Sequence, residues 1–458
     1  MLKKLVKRFV SSILIGSLSI SIISGCGNQG PFTSLSINSQ DKNIIYQSKS
    51  TDKVKPYTLL SFQSLDSDLG DIYDQTPIGE NGEYTHGQIT QYSIMSDVNA
   101  MEQVGSSPNL NIYSWLDFFG PKDTFNAYIV QDNNPDKITS ELKPLRERNM
   151  GYYKNLEKFV SEGLQKYPGN KVILDISSHG GGYWGISPDY TSKNKRISLL
   201  GLELALHNAI KGTRKLDLIS FYACLMSGVE VAYQLKDDVK VMVGSGDVMT
   251  SNMGGSNTSY YKNFDIINKQ PTIDEQNLAK HIVNNTLKNY ASTYTAVQTT
   301  RTLEVRRAID QMARVLIKYL PTRKKDIFNA CLLAKKYPNL FESNINSAIA
   351  YLKKNKPNYT QEDVIFYANL MTDIVDIKAL TEQLREQLKD IEEVIQTTQI
   401  VDQTIDHAVI AVKTLTNNKW GGLSIYLPFG LKKVDPVYFK TKFAADTQWD
   451  TFLNQLTK

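Results

Sequence analysis

The chain has 458 residues, of which 41% are hydrophobic and 22% are charged, enough to bury the core of one large domain or two closely joined domains. Its net charge is +5, but four positive residues fall within residues 1–25, which contain no acid, and the rest of the chain carries +1. No basic stripe with interleaved aromatic residues is visible, so the sequence gives no reason to expect a nucleic-acid partner. Three cysteines cannot form the disulfide framework of a small secreted protein.

Residues 1–25 have the pattern of a bacterial signal peptide. A basic head precedes a short apolar run from Phe9 to Ile23, which is too short and too rich in serine for a comfortable transmembrane helix. The run ends in Ile-Ser-Gly-Cys, which resembles the lipobox of bacterial lipoproteins, where the cysteine receives a lipid such as palmitate. We expect Cys26 to anchor the protein to a membrane of the bacterial cell envelope, facing away from the cytoplasm. The alternative is an ordinary cleaved signal with an incidental cysteine.

The residues that follow predict a tether and then the start of a folded region. Residues 26–54 are polar and aperiodic, as is typical of a flexible linker. The segment YTLLSFQSL then predicts a strand, which ends in a turn containing Asp66 and Asp68. Two acids in a turn are more often local caps, although their carboxylates could bind a cation. Further along, a helix is predicted in QYSIMSDVNAMEQV, strands in LNIYSWL and AYIVQD, and an amphipathic helix in MGYYKNLEKFVSEGLQKY.

The stretch from Lys171 to Met226 predicts a β-α-β unit. Val172–Ile176 and Leu216–Tyr222 are apolar runs typical of buried parallel strands, and SLLGLELALHNAI between them has helical spacing. The first run is followed by His179 and three glycines, and the second by Cys224. Because catalytic groups collect at the carboxyl ends of parallel strands, we expect these two side chains at one sheet edge, on neighbouring strands.

A cysteine beside a histidine predicts nucleophilic catalysis. An imidazole or a helix N-terminus favours the reactive thiolate, and LMSGVEVAYQL predicts a helix beginning at Cys224. The backbone N–H groups of Gly180 and Cys224 could form an oxyanion hole for a tetrahedral intermediate. The predicted reaction is acyl transfer through a thioester, most simply hydrolysis of a peptide bond. The alternative is a small buried cysteine near a structural histidine.

The same residues carry a resemblance to a known family. The segments YPGNKVILDISSHGGGYWG and LDLISFYACLMSGVEVAYQL resemble the clostripain family of cysteine peptidases, as does GGLSIYLPFG near the C-terminus. The resemblance covers roughly residues 55–430 and implies an α/β, caspase-like three-layer sandwich with a mostly parallel central sheet. It implies that Cys224 is the nucleophile, that His179 is the general base and acid, and that the substrates are proteins or peptides. It implies no metal ligand or required cofactor, although calcium is a candidate because it matters to some members.

The resemblance breaks at the specificity position. Family members usually have an acid two residues before the nucleophile, where it helps to form a pocket for Arg or Lys, but this chain has Tyr222, which holds no fixed negative charge near neutral pH. Asp247, after the next apolar strand, could supply the charge, or it could be an ordinary loop aspartate. A second hypothesis therefore remains, in which a lipid-anchored surface protein keeps the peptidase fold as a binding module with a drifted, inactive site.

The family also suggests self-cleavage between the two catalytic residues. Lys193, Lys195 and Arg196 lie there in a polar segment that we expect to be an uncompacted loop, so each is a candidate cleavage site. A solvated loop with no processing is the alternative.

The last part of the chain is mostly helical in pattern. We divide the folded region into a caspase-like catalytic region at residues 55–262 and a mostly helical region with returning strands at residues 263–458. Apolar residues at 3–4 spacing from Ile377 to Ile395 predict one longer helix, and HAVIAVKTL and GGLSIYLPF predict strands. The HGGG motif also resembles the oxyanion loop of lipases and esterases, but the Gly-x-Ser-x-Gly elbow that they require is absent from the sequence.

Overall fold

A computed structural model describes residues 54–67, 69, 93–119, 124–193, 195–247, 249, 258–285, 293–335, 353, 364, 368, 373–414, 420–428 and 433–458. The predicted signal peptide, Cys26, almost all of the tether and Asp68 lie outside these residues. None of the helices in the described ranges combines the length and the apolar character needed to span a bilayer.

The described residues form thirteen strands and twelve α-helices. The strands are β1 (Lys55–Ser64), β2 (Leu110–Asp117), β3 (Thr124–Tyr128), β4 (Lys143–Pro144), β5 (Gly169–Ser177), β6 (Ile186–Asp189), β7 (Lys195–Ile197), β8 (Leu216–Tyr222), β9 (Val239–Gly244), β10 (Thr293–Gln298), β11 (Ile374–Asp376), β12 (Val409–Thr414) and β13 (Ser424–Tyr426). The helices are α1 (Ser93–Val104), α2 (Tyr153–Lys166), α3 (Leu199–Ile210), α4 (Val229–Gln234), α5 (Thr258–Lys262), α6 (Ile266–Lys269), α7 (Glu275–Asn285), α8 (Thr302–Lys335), α9 (Ile377–Gln387), α10 (Glu392–Ala408), α11 (Lys442–Asp446) and α12 (Trp449–Leu456).

One large sheet organises these elements. Its strand order is β12-β10-β9-β8-β5-β1-β2-β3-β4. The five central strands, from β9 to β2, run parallel to one another, and the flanking strands pair antiparallel. Strands β5 and β8 are neighbours, with Ser177 opposite Tyr222 at their carboxyl ends. The mostly parallel central sheet predicted from the β-α-β pattern is therefore confirmed.

Helices cover both faces of this sheet, because side chains on a strand alternate between its faces. On β1, Leu60 and Phe62 belong to a core cluster that also contains apolar residues of α2, α3, α4 and α8. Tyr57 and Leu59 of the same strand belong to a second cluster, which contains residues of α1, α5 and α7. The arrangement is the expected three-layer sandwich.

Strands from the later part of the chain join the same sheet. Strand β10 pairs with β9, and β12 pairs with β10, so the sheet continues past residue 262. Judged by their contacts, residues 50–458 form one compact unit. The boundary that we drew at residue 262 falls inside this unit and stays a prediction. We did not predict β10, although its sequence, TYTAVQ, is rich in the β-branched and aromatic residues that favour strands.

The single helix predicted across Ile377–Ile395 is wrong. Helix α9 ends at Gln387 and α10 begins at Glu392, with Ile391 in an extended conformation between them. At this break the Arg323 guanidinium binds the Asp390 carboxylate and the Gln387 carbonyl group. Both helices bury one face against the same core, so apolar residues recur at helical spacing on both sides of the break. The periodicity alone could therefore not reveal the turn between the two helices.

A buried glutamate connects α4 to the C-terminal part of the chain. The Glu230 carboxylate accepts hydrogen bonds from the Tyr426 backbone N–H at 2.8 Å and from the Tyr438 hydroxyl at 3.2 Å. Burial raises the pKa of Glu230 to about 7, although these hydrogen bonds oppose the shift. Because the folded-state pKa lies above the unfolded value, this group contributes stability below about pH 4.5 that is lost as the pH rises through 7.

We expect Glu230→Gln to reduce the pH dependence of unfolding between pH 5 and 7. Glutamine keeps the oxygen that accepts both hydrogen bonds but does not ionise, so it removes a stability loss of up to about 1.4 kcal/mol per pH unit. Urea unfolding monitored by fluorescence at several pH values measures this slope. The exposed Glu386→Gln variant is the control, and a Glu230→Gln slope equal to that of the control would contradict the assignment.

Candidate active site

The sheet brings the two predicted catalytic residues to neighbouring strand ends. His179 follows Ser177 of β5 by two residues, and Cys224 follows its partner Tyr222 of β8 by two residues. The strands remain together at this edge, since the Ser178 N–H donates a hydrogen bond to the Tyr222 carbonyl group at 3.3 Å. His179 is buried, whereas Cys224 is partly exposed. The two residues thus occupy equivalent places on adjacent parallel strands.

The glycine after the histidine allows a close approach to the cysteine segment. A Cβ atom placed on Gly180 would lie 2.3 Å from the Cys224 carbonyl oxygen and 2.9 Å from Cγ of Met226, so only glycine fits. Gly180 also pairs with Ile186, and the Ser187 N–H donates to the His179 carbonyl group at 3.1 Å. Strand β6 therefore supports the backbone of the histidine segment directly.

The helix predicted to begin at Cys224 is displaced. Helix α4 starts at Val229, and the residues before it have non-helical contacts. Leu225 has a left-handed backbone with a φ of 63°. The Ser227 N–H donates to the Ser245 carbonyl group, and the Ser227 carbonyl group accepts from the Ser424 N–H. The cysteine therefore lies outside the first turn of the helix. Because the helix dipole acts mainly within that turn, it does not supply the predicted effect on the thiol.

A backbone donor lies beside the sulfur instead. The Met249 N–H donates a hydrogen bond to the Cys224 Sγ atom at 3.2 Å, and the Cys224 thiol donates to the Met249 carbonyl oxygen at 3.6 Å. The bond from the N–H favours the charged thiolate, whereas the bond from the thiol to the carbonyl oxygen favours the neutral form. Sequence reasoning missed this partner, since it lies 25 residues further along the chain.

Asp247 lies next to the cysteine segment. Its backbone carbonyl group accepts a hydrogen bond from the Leu225 N–H at 3.2 Å, and its own N–H donates to Ser245 Oγ at 3.2 Å. Its side chain is buried, with 7% of the residue exposed. The candidate specificity residue is thus adjacent, in space, to the residue after the candidate nucleophile.

Tyr222, which is partly exposed, packs against a buried network of tyrosines. Its ring stacks on that of Tyr260, with the centroids 4.5 Å apart. The Tyr260 hydroxyl donates to the Asp175 carboxylate at 2.6 Å, and Tyr261 donates to the same carboxylate at 2.9 Å. Burial raises the pKa of Asp175 to about 7, against the effect of both hydrogen bonds. No local sequence signal linked Tyr260 and Tyr261 to β5.

The candidate self-cleavage residues lie in a small hairpin, so the uncompacted loop that we predicted is wrong in part. Strands β6 and β7 pair antiparallel, and β7 contains Lys195 and Arg196. The Arg196 guanidinium lies over the Trp184 ring, 3.0 Å from its centroid, and Nε donates to the Trp184 carbonyl group at 3.0 Å. Lys193 is exposed before β7, with a left-handed φ of 64°. The turn of the hairpin is also held by a distant residue, because the Thr191 N–H donates a hydrogen bond to the Asp66 carboxylate at 3.3 Å.

The other cysteine and histidines of the folded region lie away from the candidate active site or outside the described residues. Cys331 is buried in α8. His207 on α3 bonds to the Asp238 carboxylate at 2.9 Å. His407 occupies the last turn of α10 rather than opening β12, which begins at Val409. His86 lies outside the described residues.

Comparison with known proteins identifies the family. The sequence profile of the clostripain family matches residues 87–455. The chain belongs to the clostripain family of cysteine peptidases. Clostripain from Hathewaya histolytica is 27% identical over 179 residues, which cover 31% of this chain and 33% of that protein. The chain thus spans about a third of the length of this relative in the alignment.

Two solved structures of proteases share the fold of this family member. One is a secreted cysteine protease from Bacteroides thetaiotaomicron in complex with an irreversible peptide inhibitor, with a TM-score of 0.54 and 14% identity. The other is an inactive zymogen of a protease from Parabacteroides distasonis, with a TM-score of 0.52 and 16% identity. Each comparison covers 86% of this chain and 99% of the other. At these identities the likeness establishes the caspase-like fold.

We expect Gly180→Ala to destabilise the protein. A methyl group would collide with the Cys224 carbonyl group, and overpacking of this kind costs about 1–3 kcal/mol. The free energy of unfolding from urea titration measures the effect. Gly201→Ala in α3 is a matched control, because its new Cβ atom would have no neighbour closer than 3.3 Å. Equal stability of the two variants would show that the two strand ends have room to separate.

Proposed function

We propose that the protein hydrolyses peptide bonds with Cys224 as the nucleophile and His179 as the general base and acid. The observation that carries this proposal is the equivalent position of the two residues after paired, parallel strands, with the cysteine partly exposed. Family membership supports the same chemistry. Proteins or peptides are therefore the proposed substrates.

The proposed reaction has two stages. His179 accepts the thiol proton, and the thiolate attacks the carbonyl carbon of the scissile bond. The N–H groups of Gly180 and Cys224 stabilise the oxyanion until the C–N bond breaks, and His179 gives its proton to the leaving amine. His179 then removes a proton from water, which attacks the thioester, releases the acid product and restores the thiol.

We propose that the Asp247 carboxylate provides a preference for Arg or Lys before the cut. Tyr222, which stands where the family usually has an acid, packs its ring on Tyr260 and has no charge to offer. The backbone carbonyl group of Asp247 accepts a hydrogen bond from the Leu225 N–H at 3.2 Å, so Asp247 lies beside the residue that follows Cys224. A carboxylate held in a largely dry pocket favours a cationic side chain.

We also propose self-cleavage in the β6–β7 hairpin, after Lys193. Of the three candidates, Lys193 is exposed and outside the strands, whereas Lys195 and Arg196 belong to β7 and Arg196 is held by Trp184. A protease needs an accessible segment that can rearrange into its active site, which favours the exposed tip of the hairpin over the paired strand β7.

Attachment to the membrane is a separate proposal that rests on the sequence alone. The basic head, the apolar run and the lipobox-like ending support removal of residues 1–25 and lipidation of Cys26. The polar residues 26–54 would then hold the folded region away from the surface of the bacterial envelope.

The decisive variant is Cys224→Ala. We expect it to reduce the turnover of a mixed peptide library by at least about 10³-fold, because no other group supplies the nucleophile. Cys331→Ala is the matched control, since it removes the buried thiol of α8 by the same substitution and should retain turnover. Release of peptide ends, followed by mass spectrometry, measures both variants.

The same preparations distinguish the alternatives. No turnover by the wild-type protein would leave the binding module with an inactive site as the function. The intact mass under denaturing conditions reports processing: a wild-type protein cut after Lys193 and an unbroken Cys224→Ala variant support self-cleavage. A fully active wild-type protein with an unbroken chain would reject it.

We expect Asp247→Asn to lose the preference for basic residues. Removing one partner of a desolvated charge pair costs enough to lower kcat/KM for substrates with Arg or Lys by about 30-fold or more, with little change for Leu. Peptide series that differ only at the residue before the cut measure this ratio. Asp237→Asn is the control, because Asp237 is exposed and lies at the opposite end of β9 from Asp247. An unchanged ratio would remove Asp247 from the pocket.

A further inference from the structure

Asp247 lies in a short segment, residues 245–247, that follows β9 and is joined to the loop between β8 and α4. Two backbone hydrogen bonds make this connection. The Ser227 N–H donates to the Ser245 carbonyl group at 2.8 Å, and the Leu225 N–H donates to the Asp247 carbonyl group at 3.2 Å. The candidate specificity residue is therefore attached by its backbone to the loop that contains the candidate nucleophile.

The indole ring of Trp420 also lies against this segment. A Cβ atom placed on Gly246 would lie 2.1 Å from Cζ2 and 2.8 Å from Cε2 of the Trp420 ring, so only glycine leaves room for the ring. Trp420 is buried, with 7% of the residue exposed. Because a protein interior is closely packed, a large buried ring cannot easily move aside. The backbone of Gly246 is thus in close contact with a ring that has little freedom to shift.

The residues after Trp420 hold the ring in this place. The Gly421 N–H donates to the Asp376 carboxylate at 2.9 Å, and Asp376 is the buried N-cap residue of α9. The Ser424 N–H donates to the Ser227 carbonyl group at 3.2 Å. Trp420 therefore belongs to a segment of the C-terminal part of the chain that is anchored at both α9 and the loop after β8.

The indole N–H of Trp420 makes no contribution to this anchoring. Its Nε1 atom is buried and has no acceptor among the residues that the structure describes. A buried donor without a partner lowers stability, so stability alone does not account for tryptophan at this position. What the side chain provides is a broad and rigid apolar surface against Gly246.

We propose that Trp420 is a positioning residue that keeps Asp247 where its carboxylate can select a basic side chain before the cut. The proposal rests on the function proposed above for Asp247. The ring limits the movement of Gly246, and the bond from Leu225 ties the next residue to the neighbour of Cys224. A displacement of about 1 Å in such an arrangement can lower a rate by about 100-fold, so loss of the ring should alter substrate selection.

The test is Trp420→Leu in the full chain, with peptides that differ only in having Arg, Lys or Leu before the cut. We expect the ratio of kcat/KM for the basic peptides to kcat/KM for the Leu peptide to fall by about tenfold, mainly through a higher KM. This ratio does not depend on the concentration of active enzyme, so a loss of folded protein alone cannot change it. Trp449→Leu is the matched control, because it makes the same substitution at the buried tryptophan of α12, whose Nε1 donates to the Tyr426 carbonyl group at 2.9 Å. It should keep the wild-type ratio.

Gly246→Ala tests the same contact from the other partner. Its methyl group would collide with the Trp420 ring, so we expect this variant also to lower the ratio. In the double variant Gly246→Ala/Trp420→Leu, the smaller side chain leaves room for the methyl group. The combined loss should therefore be smaller than the product of the two single losses, as is typical of residues in contact. If Trp420→Leu does not fold, Trp420→Phe combined with Gly246→Ala gives the same comparison.

The outcomes separate this proposal from the peptidase function. An unchanged ratio in Trp420→Leu, or losses that simply multiply in the double variant, would overturn the role of Trp420 and leave the peptidase activity standing. A wild-type protein that cuts peptides without favouring Arg or Lys would reject the roles of both Asp247 and Trp420. No turnover by the wild-type protein would reject the peptidase function itself, on which both roles depend.

Discussion

The pairing of β5 with β8 is the constraint on which the candidate site depends. Both strands are buried on both faces, and a slip of one residue would turn every apolar side chain to the wrong layer. The register that places Ser177 opposite Tyr222 is therefore fixed by the core and not by the reactive residues. Because His179 and Cys224 follow these two residues at the same distance, the energy that packs the sheet also positions the candidate catalytic pair.

Backbone groups supply much of what surrounds the cysteine. The Gly180 backbone approaches the Cys224 carbonyl group, and the Met249 N–H donates to the sulfur. Backbone donors do not ionise and are held by the fold, so they maintain their orientation without a loss of side-chain freedom on reaction.

The sequence predicted the central strands and the crossover helix because each is a continuous local pattern. The strand Leu216–Tyr222 was predicted with its observed bounds. Features that depend on distant residues were not predictable in this way. The start of α4 at Val229 reflects the pairing of Ser227 with Ser245 and Ser424, and the latter is almost 200 residues away. The carboxyl groups of Asp66, Asp117, Glu147 and Asp189 likewise come together from four separate segments, and of these residues only Asp66 was noticed in the sequence, as part of a turn.

The position of the β6–β7 hairpin has a consequence for a chain that is cut there. The piece before the hairpin tip contains β1, β2 and β5, while the piece after it contains β8, β9, β10 and β12. The fragments would meet along the β5–β8 ladder and across both cores, which makes this junction equivalent to the interface of an obligate heterodimer. A nicked molecule would keep its mass in native solution and would separate into two polypeptides only after denaturation.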